Sequence, residues 1–133
     1  MQKITTFLMF NGHAEAAMNF YTSLFEDSEI LQLTHYGPNE AGAEGSVLQA
    51  TFSLNGQTFM CIDSHVQHDF TLTPAMSLYV ACETEPEIDG LFEQLSQGGA
   101  IHMPLDSYPF SKKFGWVDDK YGVSWQLNLI TNE

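Results

Sequence analysis

Between positions 61 and 69 the chain carries a thiol, two carboxylates and two imidazoles: Cys61, Asp63, His65, His68 and Asp69. A cysteine becomes a nucleophile when a nearby base or cation lowers its pKa. A carboxylate at a strand end can take a proton. The spacing His65-x-x-His68-Asp69 suits a small metal site or an acid–base pair. Each of these residues also has a plain structural reading. A buried cysteine packs as a small apolar residue, and a strand-end aspartate caps a turn. Histidines in a polar stretch are solvated, and no second pair of ligands has a compatible spacing here.

A second group is aromatic. Trp116 and Trp125, with Phe114 and Tyr121, cluster near the C-terminus. They suit either a wall for a flat, hydrophobic ligand or core and subunit packing. His35 and Tyr36 end a candidate strand beside a glycine-rich loop. Six methionines, among them Met9, Met18, Met60 and Met76, fit an adaptable apolar cavity as well as an ordinary core.

Charge narrows the partners. The 133 residues hold 4 lysines, no arginine and 17 acids, a net charge of −13. Three of the lysines, Lys112, Lys113 and Lys120, lie close together. A nucleic-acid backbone or an anionic membrane needs a row of cations, which this chain lacks. Without arginine there is no bidentate clamp for phosphate or carboxylate. An anionic substrate would depend on backbone N–H groups or on the lysine cluster. The start of the chain, MQKITT, reads as no signal peptide. Two cysteines, Cys61 and Cys82, make no disulfide framework. A cytoplasmic protein is expected.

The elements that must position these groups follow from periodicity. Residues 4–10 form an apolar run that predicts a strand buried on both faces. Ala14, Ala17, Met18, Tyr21, Leu24 and Phe25 recur at helical steps. Residues 29–36 alternate as a strand, 37–45 read as a loop, and 46–54 and 58–62 are strands around the Asn55-Gly56 turn. After a polar stretch the pattern restarts with a strand over 76–82. Thr84 is the expected cap of a helix with Pro86 in its first turn, Glu87 at its third position and Ile88, Leu91, Phe92 and Leu95 on its buried face. Gly98-Gly99 stops it. A strand begins at 100–104, 107–113 reads as a loop, and 114–117 and 123–130 are strands.

This is strand, helix and three strands, twice. At an offset of 71, Phe7 matches Leu78, Met9 matches Val80, Phe20 matches Leu91, Leu24 matches Leu95 and Ile30 matches Ile101. At an offset of 66, Asn55-Gly56 falls on Tyr121-Gly122 and Phe59 on Trp125. The expected organisation is α+β: a first β-α-β-β-β module over residues 1–64, a linker over 65–74 and a second module over 75–133. Two such modules side by side would leave a concave surface for a small ligand.

The repeat, with ITTFLMFNG at residues 4–12, AMNFYTSLF at 17–25, SLNGQTFMCID at 53–63 and FGWVDDKYGVSWQLNL at 114–129, resembles the vicinal oxygen chelate superfamily. That superfamily includes glyoxalase I, bleomycin resistance proteins and extradiol dioxygenases, and within it the chain is most similar to the PhnB-like subgroup. The resemblance implies a glyoxalase-like open barrel and a homodimer. It also implies a divalent metal on four side chains, from the first and last strand of each module. Those positions carry Thr6 (to within one residue), Met60, Ser77 and Gln126. A hydroxyl, a thioether and an amide hold Zn²⁺ or Ni²⁺ poorly against water. The expectation is a pocket lined by Thr6, Met60, Ser77, Trp116, Trp125 and Gln126, with no metal and no cofactor, binding a small molecule. An enzyme with a non-standard site around Cys61, Asp63 and Gln126 is the alternative. Subgroup members often carry a demethylubiquinone methyltransferase label. Methyl transfer of the common kind needs a Rossmann-like domain with a glycine-rich turn after its first strand, where this chain has Asn-Gly-His.

Overall fold

The structure, a computed structural model, describes residues 2–130. The chain divides into two compact units, Met1–Thr71 and Leu72–Glu133. Each is a four-stranded mixed sheet with one helix, the β-α-β-β-β arrangement.

The first unit runs β1 (Thr6–Phe10), α1 (Ala14–Leu24), β2 (Glu29–His35), β3 (Val47–Leu54) and β4 (Gln57–Asp63). The sheet order is β1-β4-β3-β2, with β1 parallel to β4 and the other pairs antiparallel. Ala14, Ala17, Met18 and Tyr21 form the fully buried stripe of α1. The Tyr21 ring centroid lies 6.5 Å from Phe52, which stacks on Phe59 at 5.4 Å. The β3–β4 hairpin turns at Asn55 and Gly56, both with positive φ (50° and 83°), as a two-residue hairpin demands.

The second unit repeats the order: β5 (Leu78–Cys82), α2 (Glu85–Ser96), β6 (Ala100–Tyr108), β7 (Ser111–Asp118) and β8 (Ser124–Leu129). Its sheet is ordered β5-β8-β7-β6, again with the first strand parallel to the last. Thr84 caps α2: its Oγ1 accepts from Glu87 N at 3.3 Å, while Glu87 Oε1 accepts from Glu83 N at 2.8 Å. Ile88, Leu91, Phe92 and Leu95 are buried beneath it.

Three expectations need correction. The strand predicted over 4–10 starts at Thr6, and it is not buried on both faces. Leu8 and Phe10 are buried, but Ile4 is 85% and Phe7 49% exposed. The segment 107–113 is no loop. β6 continues to Tyr108 and β7 begins at Ser111, leaving a two-residue turn. The rings of Tyr108, Phe110 and Phe114 close on one another at 5.0–6.1 Å and hold that turn. Pro104 sits inside β6, which tolerates it because β6 is an edge strand with an irregular register. Third, the repeat in the first strands is 72, not 71. Thr6 pairs with Phe59 and Leu78 with Trp125. Since 125 − 59 is 66, Thr6 answers Leu78, and the residue answering Ser77 is Thr5. The residues 65–74 form no helix or strand.

Candidate functional site

Strand alternation assigns the faces. In the first unit Phe59, Cys61 and Asp63 of β4 are buried on the helix side, so Thr58, Met60 and Ile62 point the other way. On β1 the helix side holds Leu8 and Phe10, and with them Thr6. Thr6 and Met60 therefore lie on opposite faces of one sheet. Phe7, Met60's partner on β1, shares its face.

Cys61 is buried without exposure, and burial, helped by the Asp63 carboxylate, pushes its thiol up to about 12. Cys82 is equally buried, and desolvation together with Glu87 pushes it also to about 12. Neither offers a thiolate at neutral pH. Asp63 is saturated with hydrogen bonds. Its Oδ1 accepts from Gly12 N at 2.8 Å and Ala14 N at 2.9 Å, and its Oδ2 from Val47 N at 2.9 Å. It thereby caps α1, whose own N-cap residue His13 gives no side-chain cap. Cys61 and Asp63, the candidates of the alternative enzyme reading, are built as a core residue and a clamp between α1, β3 and β4.

The polar cluster that follows does not converge. His65 Nδ1 faces Tyr36 Oη at 3.3 Å, and His68 stacks on Phe70 at 4.7 Å. His35 Nε2 meets Glu15 Oε1 at 2.6 Å on the surface. Among the described residues no three His, Cys, Asp or Glu side chains are placed to hold a metal ion.

The second unit brings its predicted residues closer together. Gln126 Nε2 donates to Ser77 Oγ at 3.0 Å. Trp116 is the cross-strand partner of Gln126 and donates from Nε1 to Ser124 Oγ at 2.8 Å. Trp125 does not join them. It lies on the helix side, 1% exposed, and donates to Asp119 Oδ2 at 2.9 Å. Tyr79, paired with Gln126 from β5, is 59% exposed on the same sheet. The lysine cluster is partly spent. Lys113 Nζ binds Asp89 at 2.6 Å and Glu85 at 3.3 Å, and the Asp89 hydrogen bond, followed by Glu85, raises its pKa.

One pair went unread in the sequence. His102 Nε2 lies 2.9 Å from Asp118 Oδ2, and the His102 ring is 4.7 Å from Trp116. A bulge makes the pair. On β6, Ile101 pairs with Val117 and Met103 with Trp116, so His102 is the extra residue. Bulges re-aim side chains in this way. Asp118 Oδ1 is buried and has no hydrogen-bond partner among the described residues, an arrangement that costs roughly 1–3 kcal/mol. Nothing in the spacing of His102 and Asp118 signals their meeting.

The fold, two β-α-β-β-β units, is that of the glyoxalase/bleomycin-resistance proteins. The family described as 3-demethylubiquinone-9 3-methyltransferase matches residues 2–128, and the chain belongs to it. It is 70% identical to a Bacillus cereus PhnB protein bearing the same description, over 97% of this chain and 100% of that one, with a TM-score of 0.96. A Pseudomonas aeruginosa protein is similar in fold at 24% identity, over 99% and 100% of the two chains, with a TM-score of 0.82. So is a glyoxalase/bleomycin resistance/dioxygenase domain from a Frankia species, at 15% identity over 99% and 94%, with a TM-score of 0.67. No protein of curated function matches. The divalent metal that the resemblance implies is not matched by the donors present. Thr5 or Thr6, Met60, Ser77 and Gln126 offer hydroxyl, thioether and amide, and Gln126 and Ser77 bond to each other.

Proposed function

We propose that this chain is a small-molecule-binding protein of the glyoxalase/bleomycin-resistance type that works without the divalent metal of its superfamily. One observation carries the reading: Ser77 and Gln126, at two of the four metal positions, satisfy each other at 3.0 Å, and the other two positions hold a threonine and Met60. The open face of each sheet carries a mixture suited to an uncharged ligand. Phe7, Met9 and Met60 stand on one, Tyr79, Trp116 and Gln126 on the other. The resemblance to the superfamily adds a homodimer as the proposed assembly. Methyl transfer finds no support in two modules of mixed sheet, since the expected cofactor fold is a parallel, doubly wound one.

Native mass spectrometry of untagged protein, purified without chelator, tests this. The expected spectrum is a dimer with no divalent ion, unchanged by added S-adenosylmethionine. One divalent ion per chain that survives buffer exchange would overturn the metal-free reading. A stoichiometric S-adenosylmethionine adduct would restore methyl transfer.

A further inference from the structure

A sheet edge presents backbone donors and acceptors in a row, and proteins protect such edges with charge, proline or bulges. Each of the two sheets has two edge strands. Two of the four, β2 and β6, are protected. Both pair irregularly with their neighbours, β2 starts on Glu29, and β6 holds Pro104 and Asp106. The other two, β1 and β5, are not. Each pairs in unbroken register, and neither carries a charged residue or a proline. No strand lies beyond them in their own sheets among the described residues. The same side chains are left uncovered on both. Ile4 and Met76, at 85% and 75%, are the two most exposed large apolar residues among those described, and Phe7 and Tyr79 are exposed at 49% and 59%. Phe7 pairs with Met60 and Tyr79 with Gln126, so they are equivalent positions of the repeat, 72 residues apart, as Ile4 and Met76 are. A single exposed apolar residue is ordinary. Two repeat-related pairs at the two unprotected edges mark a surface meant to be covered.

We infer that β1 and β5 form the interface between two copies of this chain, β1 of each copy lying against β5 of the other. This inference rests on the homodimer of the proposed function and specifies its surface. Charge selects a second copy as the occupant. Residues 4–12 and 70–82 hold no acid and no lysine. A partner with the same excess of 13 negative charges meets uncharged surface there, whereas a basic or acidic macromolecule finds no counter-charge. Closure selects the pairing. One two-fold axis that sets β1 on the partner's β5 also sets β5 on the partner's β1, and all four edges are covered. Pairing β1 with β1 would leave β5 free for a third copy, and the assembly would grow. Phe7 and Tyr79 stand on the outermost strand of each sheet. Met60 and Gln126, one strand further in, are left to a ligand.

The test is the dimer dissociation constant of the full chain, read by sedimentation and native mass spectrometry over a dilution series. The variants are Phe7→Lys, Tyr79→Glu and the two combined. Each single substitution sets a charge against an aromatic ring in both contacts and is expected to weaken the dimer roughly thirtyfold or more. Combined, they set a lysine against a glutamate in both contacts, and the dimer is expected to recover to within about tenfold of the wild type. Were like strands paired, the combination would set lysine on lysine and glutamate on glutamate. A combined variant that dissociates further than either single one therefore overturns the inference. Circular dichroism separates misfolding from dissociation. Should a variant fail to fold, Ile4→Lys and Met76→Glu repeat the series just outside the strands. Single variants that dimerise like the wild type overturn the inference and leave the proposed dimer on another surface. A wild-type chain that stays monomeric throughout overturns both the inference and the dimer, while the metal-free reading is judged separately by the ions the chain retains.

Discussion

Cys61 and Asp63 are two positions apart on β4, and both point to the helix side of the sheet, where a reactive group has no access to substrate. Their chemistry goes into stability. Asp63 replaces a missing N-cap from 49 residues away in sequence, satisfying backbone donors at the start of α1 and of β3. Charged hydrogen bonds of this kind contribute roughly 1.5–3 kcal/mol each. The thiols make a sharper prediction. Cys61 and Cys82 are raised to about 12 in the folded chain from an ordinary value of 9.0. At pH 8 neither should react with a disulfide reagent in the native protein, and both should react at once in guanidinium. The sign of the pH effect follows from the same numbers. Above pH 9 the unfolded chain loses thiol protons that the folded chain keeps, so the stability difference shrinks as pH rises from 9 toward 12. A urea midpoint that falls over that range in the wild type, and falls less in a Cys61→Ala, Cys82→Ala double variant, is the expected result. A thiol that titrates rapidly at pH 8 would return Cys61 to the list of nucleophiles.

The elements were legible in the sequence where local chemistry and periodicity agree. The two helices, the Thr84 cap with Glu87, and the Asn55-Gly56 hairpin all come from patterns within a few residues. The β6–β7 hairpin was not legible, because its polar Ser111-Lys112-Lys113 arm and its proline imitate a loop. The one-residue latitude at Thr6 has a related cause. Helix positions repeat at 71 and the first strands at 72, which only strand pairing reveals, and a one-residue slip exchanges faces. The His102–Asp118 pair was hidden for the same reason, since it depends on a bulge and on the register of β6 against β7. That register has a visible anchor at Gly99. A Cβ there would lie 2.0 Å from the Asp118 carbonyl oxygen. Backbone cannot yield to that approach without β6 moving off β7. Gly99→Ala should therefore cost about 2–3 kcal/mol, read from chemical denaturation. It should also break the Ala100–Asp118 pairing and separate His102 from Trp116, read as a change in the Trp116 indole signal. Loss of stability with an unmoved indole would mean that the strain relaxes toward α2 and leaves the site's register intact.

Across the whole chain, the excess of 13 negative charges acts on both folding and ligand choice. With no arginine and one of its lysines tied to two carboxylates of α2, the protein has few cations to offset its own acids. Like charges repel more in the compact state than in the expanded one, so net charge destabilises the fold. Salt screens that repulsion, the Debye length falling from about 30 Å at 0.01 M to about 3 Å at 1 M. Sodium chloride is the right probe, because sulfate would also strengthen apolar burial. Raising it from 10 mM to 0.5 M should lift the thermal midpoint by a few degrees. The same field acts on a ligand approaching the open face of the second sheet. Affinity for an uncharged aromatic probe such as phenol should hardly change with salt. Affinity for an anionic probe of the same size such as benzoate, repelled at low salt, should improve. A midpoint that is flat or falls with sodium chloride would mean that the acids are spread widely enough to ignore one another, and benzoate binding would then be independent of salt as well. A rising midpoint with benzoate strengthening and phenol constant would tie the charge excess to the choice of an uncharged ligand.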